Sequence, residues 1–312
     1  MRRLFGDSNP LETQDTRREL LMSRILYVCR RLPTNRDISL RQFDDLDIFI
    51  PLRHLKTAKD LLLSQGYYMD FIPTDRQEDS YLKSKEQYSF YNDKNKILVE
   101  IHWQIVSRYY SISFDPESLF DRLQPLFLPG REVMTFFPED LLLILCIHGT
   151  KHIWQRLAWI CDVANLIEVC KEMDWERILD QSQQMKIERI VLLGVFLAKD
   201  LVGIELPGEI VRKFDHISEV QKLSTKVYGT LFNGVQNSDR VVDEHLFHLR
   251  LMERLTDKAN YCLELGFIPN IGDWQYVSLP DSLFFLYYVI RPFHLALTFS
   301  SHLAKQIIKG SR

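Results

Sequence analysis

The sequence predicts an α+β protein in which a small mixed β-sheet domain is followed by a mostly α-helical one. Short segments with alternating polar and apolar side chains recur through residues 43–103, the period of half-buried strands. After Pro129-Gly130 the pattern changes to apolar residues at helical spacing. Across 312 residues, 46% hydrophobic and 26% charged composition suits a globular chain long enough for two cores, and it excludes disorder as the main theme. The expected division is an α+β domain over residues 1–130 and a helical domain over residues 131–312.

In chain order, Leu20, Leu21, Ile25, Val28 and Leu32 mark a helix over residues 12–32 that stops at Pro33. Residues 43–50 alternate acidic and apolar side chains and end at Pro51, so they predict a strand with Asp45 and Asp47 on one face. Residues 54–64 read as a helix closed by Gly66. Residues 67–71, 88–91 and 97–103 read as strands, with a turn over residues 92–96. Pro138, Glu139 and Asp140 open the first helix of the second domain, because Pro and acidic residues suit a helix N-terminus. Helices are then expected through about residue 260, with a loop over residues 267–279 before the last apolar segment.

Charge and cysteine usage narrow the function classes. The formal net charge is −3, and no basic run offers a track for duplex nucleic acid. The five cysteines are widely spaced without a C-x-x-C, which fits reduced thiols and a cytoplasmic location. The N-terminus has no apolar stretch behind its arginines, so no signal peptide is expected. Residues 283–300 are apolar, but Arg291, Pro292 and His294 interrupt them, which predicts a buried or partner-facing helix pair and no membrane span.

The sharpest chemical signal is Asp45-x-Asp47. Two carboxylates about 7 Å apart on one strand face can share a divalent ion that bridges substrate phosphates. Glu100 stands as a lone acid among the apolar residues of a second strand, where an uncompensated charge is costly, and it is the expected third ligand. His102 alternates onto the Glu100 face and would orient that carboxylate, whereas Trp103 would point into the core. On this reading Mg²⁺ or Mn²⁺ is held by Asp45, Asp47 and Glu100. A solvated acidic strand face is the competing structural reading.

The residues around these acids carry a resemblance. Leu40-Arg41-Gln42-Phe43-Asp44-Asp45-Leu46-Asp47-Ile48, then Val99-Glu100-Ile101-His102-Trp103, then His148-Gly149-x2-His152-x-Trp154-x2-Leu157-x-Trp159-x2-Asp162, with Tyr287-Tyr288-x2-Arg291-Pro292 near the end, resemble the bacterial family of uncharacterised nucleotidyltransferases. That family is a branch of the DNA polymerase β-like superfamily, and the resemblance runs from about residue 38 to 295. It implies transfer of a nucleoside monophosphate from a nucleoside triphosphate to an acceptor, which is a small molecule or a protein that the sequence does not specify. One departure stands out. The superfamily's glycine motif, which holds phosphates on backbone N–H groups just upstream of the first aspartate, has no counterpart there. Phe5-Gly6-Asp7-Ser8 is the one candidate. This departure motivates the alternative of a catalytically impaired descendant that binds a nucleotide or a partner.

His148 and His152 lie one helical turn apart, with Lys151 beside them and no H-E-x-x-H between. One expectation places His148, Lys151 and His152 at the mouth of the sheet as substrate contacts, with Asp162 orienting one of them or acting as base. The other makes His152, Trp154, Trp159 and Asp162 a hydrogen-bonded cluster that is purely structural. For Arg291, a buried ion pair with an acid of the helical domain is expected, with an anion contact as the alternative.

Overall fold

The computed structural model describes residues 45–94, 97–112, 115–128, 131–216, 218–233 and 240–310. The expected helix over residues 12–32 and the Phe5-Gly6-Asp7-Ser8 candidate lie outside them. The protein is α+β. In chain order its elements are β1 (Asp45–Phe49), α1 (Leu55–Ser64), α2 (Asp75–Ser84), β2 (Gln87–Asn92), β3 (Ile97–His102), α3 (Pro116–Phe120), β4 (Leu123–Leu128) and β5 (Arg131–Phe136). There follow α4 (Pro138–Lys151), α5 (Leu157–Val169), α6 (Trp175–Gln184), α7 (Glu188–Val202), α8 (Gly208–His216) and α9 (Ser218–Asn233). The chain continues with α10 (Arg240–Leu251), α11 (Leu255–Phe267), α12 (Ile271–Tyr276) and α13 (Tyr287–Gly310).

Two compact units result. The first comprises Met1–Ile72, Glu86–Ile105 and Asp115–Leu141, and the second Pro73–Lys85, Val106–Phe114 and Leu142–Arg312. In the first, β3 is the central strand of the order β1-β3-β2, parallel to β1 and antiparallel to β2. One sheet face supplies the core with Ile48, Phe90, Val99, Ile101 and Trp103, alongside the buried α1 residues Leu55, Ala58 and Leu62. Lys59 of α1 lies over the Tyr88 ring at 5.5 Å, so its charge sits on an aromatic face.

Several segments depart from expectation for local reasons. Residues 67–71 form only a single bridge, Tyr68 to Tyr91. The chain reaches Pro73 and the helix cap Thr74 too soon for a strand to extend. Thr74 and Gln77 make a reciprocal capping box that starts α2, a helix the alternation reading passed over. Around Pro129-Gly130 the flanking segments pair as the β4–β5 hairpin, where Val133, Thr135 and Phe136 favour strand over helix. Within the expected loop over residues 267–279, Asn270 and Asp273 form a second capping box and nucleate α12. Arg291 takes its expected ionic partner: its guanidinium reaches Asp273 at 3.5 Å and donates to the Leu265 carbonyl at 3.0 Å.

In the second unit the chain reverses after α4 through Ile153 and Trp154, both left-handed at φ 51° and 53°. Such backbone costs of order 1–3 kcal/mol per residue unless the surroundings enforce it. They do so through Trp154, which is fully buried in a slot walled by Gly149 and Gly194. A β-carbon on Gly149 would lie 2.4 Å from the indole ring. Gly149→Ala is therefore expected to lower stability by about 1–3 kcal/mol, although alanine is the better helix former. Urea unfolding checks this; equal or higher stability would show that the slot is not tight.

A buried polar chain crosses the same unit. The Thr150 carbonyl can only accept, so His248 Nε2–H donates to it at 3.2 Å. His248 Nδ1 then accepts from the Tyr261 hydroxyl at 3.3 Å, and the Tyr261 oxygen accepts from His245 Nδ1–H at 2.7 Å. Burial pushes the His248 pKa down to about 4 and that of His245 in the same direction. The unfolded chain takes up a proton near pH 6.5 while folded His248 does not, so stability is complete above that pH and falls as pH drops towards 4. The loss approaches roughly 3 kcal/mol. Melting curves between pH 7 and pH 4.5 should show a flatter decline in His248→Gln than in wild type; parallel declines would contradict the assignment.

Candidate functional site

Paired residues on neighbouring strands share a sheet face, so register decides which side chains meet. The β1–β3 register sets Asp47 opposite Glu100 and Phe49 opposite His102, while β2 sets Ser89 opposite Glu100. Asp45, two residues from Asp47 on the same face, lies opposite Leu98. One face of the three-stranded sheet thus presents Asp45, Asp47, Ser89, Glu100 and His102. The alternate residues, ending in buried Trp103, form the core.

The contacts are close. His102 Nε2 lies 3.3 Å from Asp47 Oδ1 and 3.6 Å from Glu100 Oε2. The Ser89 hydroxyl donates to Glu100 Oε1 at 3.0 Å. Asp47 is only 4% exposed. Asp47, Glu100 and His102 each offer one ligand atom, and those atoms all lie within 4.8 Å of one another. Two carboxylates and an imidazole in so small a volume repel a further anion and attract a cation. The oxygen-rich set with one nitrogen could hold a divalent ion. Asp45 lies outside this closest group, although it shares the face.

Aromatic residues wall one end of the face. Phe49 stacks on Phe120 of α3 at 5.2 Å and meets Phe136 of β5 edge-on at 6.1 Å. Nearby, Arg122 pairs with buried Asp140 at 2.8 Å, tying the start of α4 to the turn before β4. Tyr91, on the polar face of β2, has its phenol pKa raised by burial and then by the charges of Asp70 and Glu100, so it remains a donor at neutral pH. Sequence reading missed Ser89 and the aromatic wall. Alternation on β2 could have identified Ser89, whereas the wall depends on the pairing of β4 with β5, which no apolar period in the sequence marks.

The other candidate residues belong to the second unit. His148 ends α4 with Lys151, and His152 follows; the two imidazoles lie 4.8 Å apart. Both meet Trp159, at 5.4 Å and 5.0 Å, and the Arg156 guanidinium lies 5.7 Å from the same ring. Asp162 is buried on α5. Among the described residues, no group of three potential metal ligands includes His148 or His152.

No curated protein and no solved structure matches the chain. A family model does match, over residues 34–203, which span Asp45, Asp47, Glu100, His102 and the His148 to Asp162 segment but stop short of the Tyr287-Tyr288-x2-Arg291-Pro292 motif. The model is described as uncharacterised nucleotidyltransferase, its match covers more than half of the chain, and the protein therefore belongs to that nucleotidyltransferase family.

Proposed function

We propose that the protein transfers a nucleoside monophosphate from a nucleoside triphosphate to an acceptor hydroxyl, with a divalent cation held on the Asp47–Glu100 face. The observation that supports this most is the pairing of Asp47 with Glu100 across a parallel register, with His102 touching both. Asp47, Glu100 and either Asp45 or His102 would hold the ion. When bound, it supplies positive charge to the triphosphate oxygens and to the pyrophosphate as it leaves. The chain's own residues do the positioning. Ser89 fixes one oxygen of Glu100, His102 fixes Asp47, and the Phe49–Phe120–Phe136 wall keeps water from that end of the face. In the reaction the acceptor oxygen bonds to the α-phosphorus, the bond from that phosphorus to the bridging oxygen breaks, and pyrophosphate departs. The acceptor's proton passes to a carboxylate, for which half-buried Asp45 is better exposed than Asp47. His148, Lys151, His152 and Asp162 are proposed as substrate contacts of the second unit.

One observation favours a second reading, in which the protein binds a nucleotide or a partner without transfer. Between Ser8 and Asp45 the chain contains no glycine, so no glycine motif precedes the first aspartate at close range.

Two measurements separate the readings. Millimolar Mn²⁺ with nucleoside triphosphate is expected to raise the melting temperature by a few degrees, about what a ligand near a hundred times its Kd gives. The rise should be lost in Asp45→Asn/Asp47→Asn. Pyrophosphate release and transfer of α-labelled nucleotide are expected to fall by at least about a hundredfold in Asp47→Asn. Stabilisation without transfer would favour the binding reading. No cation response, or full transfer in Asp47→Asn, would contradict the proposed site.

A further inference from the structure

We propose that a polar cavity in the second unit binds a small phosphorylated polyol, with its phosphate on Arg250 and Lys258 and its hydroxyls on the glutamates beside them. The cavity holds about 560 Å³, within the roughly 300–1,000 Å³ of small-molecule sites. Its wall is formed by Glu188 and Arg189 at the start of α7, Arg250 near the end of α10 and Lys258 in the first turn of α11, completed by the start of α9. Every residue of that wall is charged or carries a hydroxyl. Ligand sites are mostly apolar, so a wall without an apolar or aromatic residue selects a strongly polar ligand. A nucleobase would find no ring to stack on there.

Charge decides which polar ligand fits. Glutamates also line the cavity, and each is already engaged. Glu188 pairs with Lys213 at 2.8 Å and Glu219 with Lys222 at 3.3 Å, and both lysines stand outside the wall. Glu253 accepts the Arg189 backbone N–H at 3.1 Å. The cations of the wall have no such compensation. Among the described residues, the side chains of Arg250 and Lys258 have no ionic partner, and the Arg189 guanidinium donates to two neutral groups, the carbonyls of Arg250 at 3.2 Å and Met252 at 3.5 Å. With Lys213 and Lys222 included, five cations face three carboxylates, a surplus of two positive charges. A phosphate monoester, which carries about −1.5 to −2 at neutral pH, matches that surplus, whereas a neutral sugar would leave it standing.

The two free cations are carried on a braced segment. Arg189 holds the link between α10 and α11 at three points, through its backbone N–H on Glu253 and its guanidinium on the Arg250 and Met252 carbonyls. A phosphate therefore meets donors on a backbone already in place, which lowers the ordering cost of binding. The dipoles of α7 and α9, which both begin at the wall, add partial positive charge to a surplus that the side chains already set. Polyol recognition follows from the glutamates. A carboxylate has about four lone-pair sites, so one ion pair or hydrogen bond leaves others free to accept from ligand hydroxyls, and the Ser218 hydroxyl stands beside them. The proposal is independent of the transfer reaction and holds whether or not the carboxylate face is active.

Isothermal titration of the full chain with ribose 5-phosphate, ribose and sulfate tests it, at low salt because screening weakens exposed charge contacts. EDTA is present throughout, so that no metal draws the phosphate to the carboxylate face. The sugar phosphate should bind at least about tenfold more tightly than sulfate, and ribose should give no heat of binding. Arg250→Ala/Lys258→Ala should weaken the sugar phosphate at least about tenfold without lowering the melting temperature, because two charge-assisted contacts are lost and no described ion pair is broken. Asp47→Asn should bind it as wild type does. Absence of sugar phosphate binding, equal binding by Arg250→Ala/Lys258→Ala, or sulfate bound as tightly as the sugar phosphate would overturn the proposal. So would loss of binding in Asp47→Asn, because it would assign the ligand to the carboxylate face.

Discussion

The candidate site depends on one backbone constraint, the parallel register that sets Asp47 beside Glu100. A slip of one residue would turn every β1 side chain over, sending Asp45 and Asp47 into the core and Ile48 to the polar face. The apolar alternation of β1 and β3 opposes that slip, since Ile48 and Ile101 are paired and both buried. Burial on one face thus holds the charges together on the other. The same hydrogen-bonded ladder that completes the core concentrates two carboxylates and an imidazole in a volume a few ångströms across.

That concentration would destabilise an unsupported sheet, and the surrounding residues moderate it. Ser89 and His102 each give a carboxylate a polar neighbour. The aromatic contacts of Phe49 join β1 to α3 and β5, so the hairpin is part of the support and not a separate appendage. Membership of the nucleotidyltransferase family gives this arrangement its chemical context. In the second unit a comparable device operates: strained backbone at Ile153 and Trp154 is held by the burial of one indole between two glycines.

Much of this was legible in the sequence because the relevant signals are local. The alternation over residues 43–50 and 97–103 yields β1 and β3, and it places Asp47, Glu100 and His102 on matching faces once the strands pair. Pairing itself is non-local, so alternation alone could not say that His102 would approach Asp47 as closely as Glu100. The helix α2 was legible through Thr74 and Gln77 but lay in a polar stretch that hydrophobic periodicity does not mark. The left-handed turn at Ile153 and Trp154 was illegible for a different reason: neither residue favours that conformation, and only tertiary packing imposes it. Likewise, the exposure of Phe293 and Leu297 on α13 cannot be read from apolar spacing, which a buried helix would share.

The most direct test of the central claim is a crystal structure of the protein soaked with Mn²⁺ and a nonhydrolysable nucleoside triphosphate analogue, using anomalous scattering to locate the metal. The account predicts an anomalous peak within about 2.5 Å of carboxylate oxygens from both Asp47 and Glu100, with the triphosphate on the same face. A well-ordered nucleotide bound elsewhere, or a metal peak that touches neither carboxylate, would contradict it.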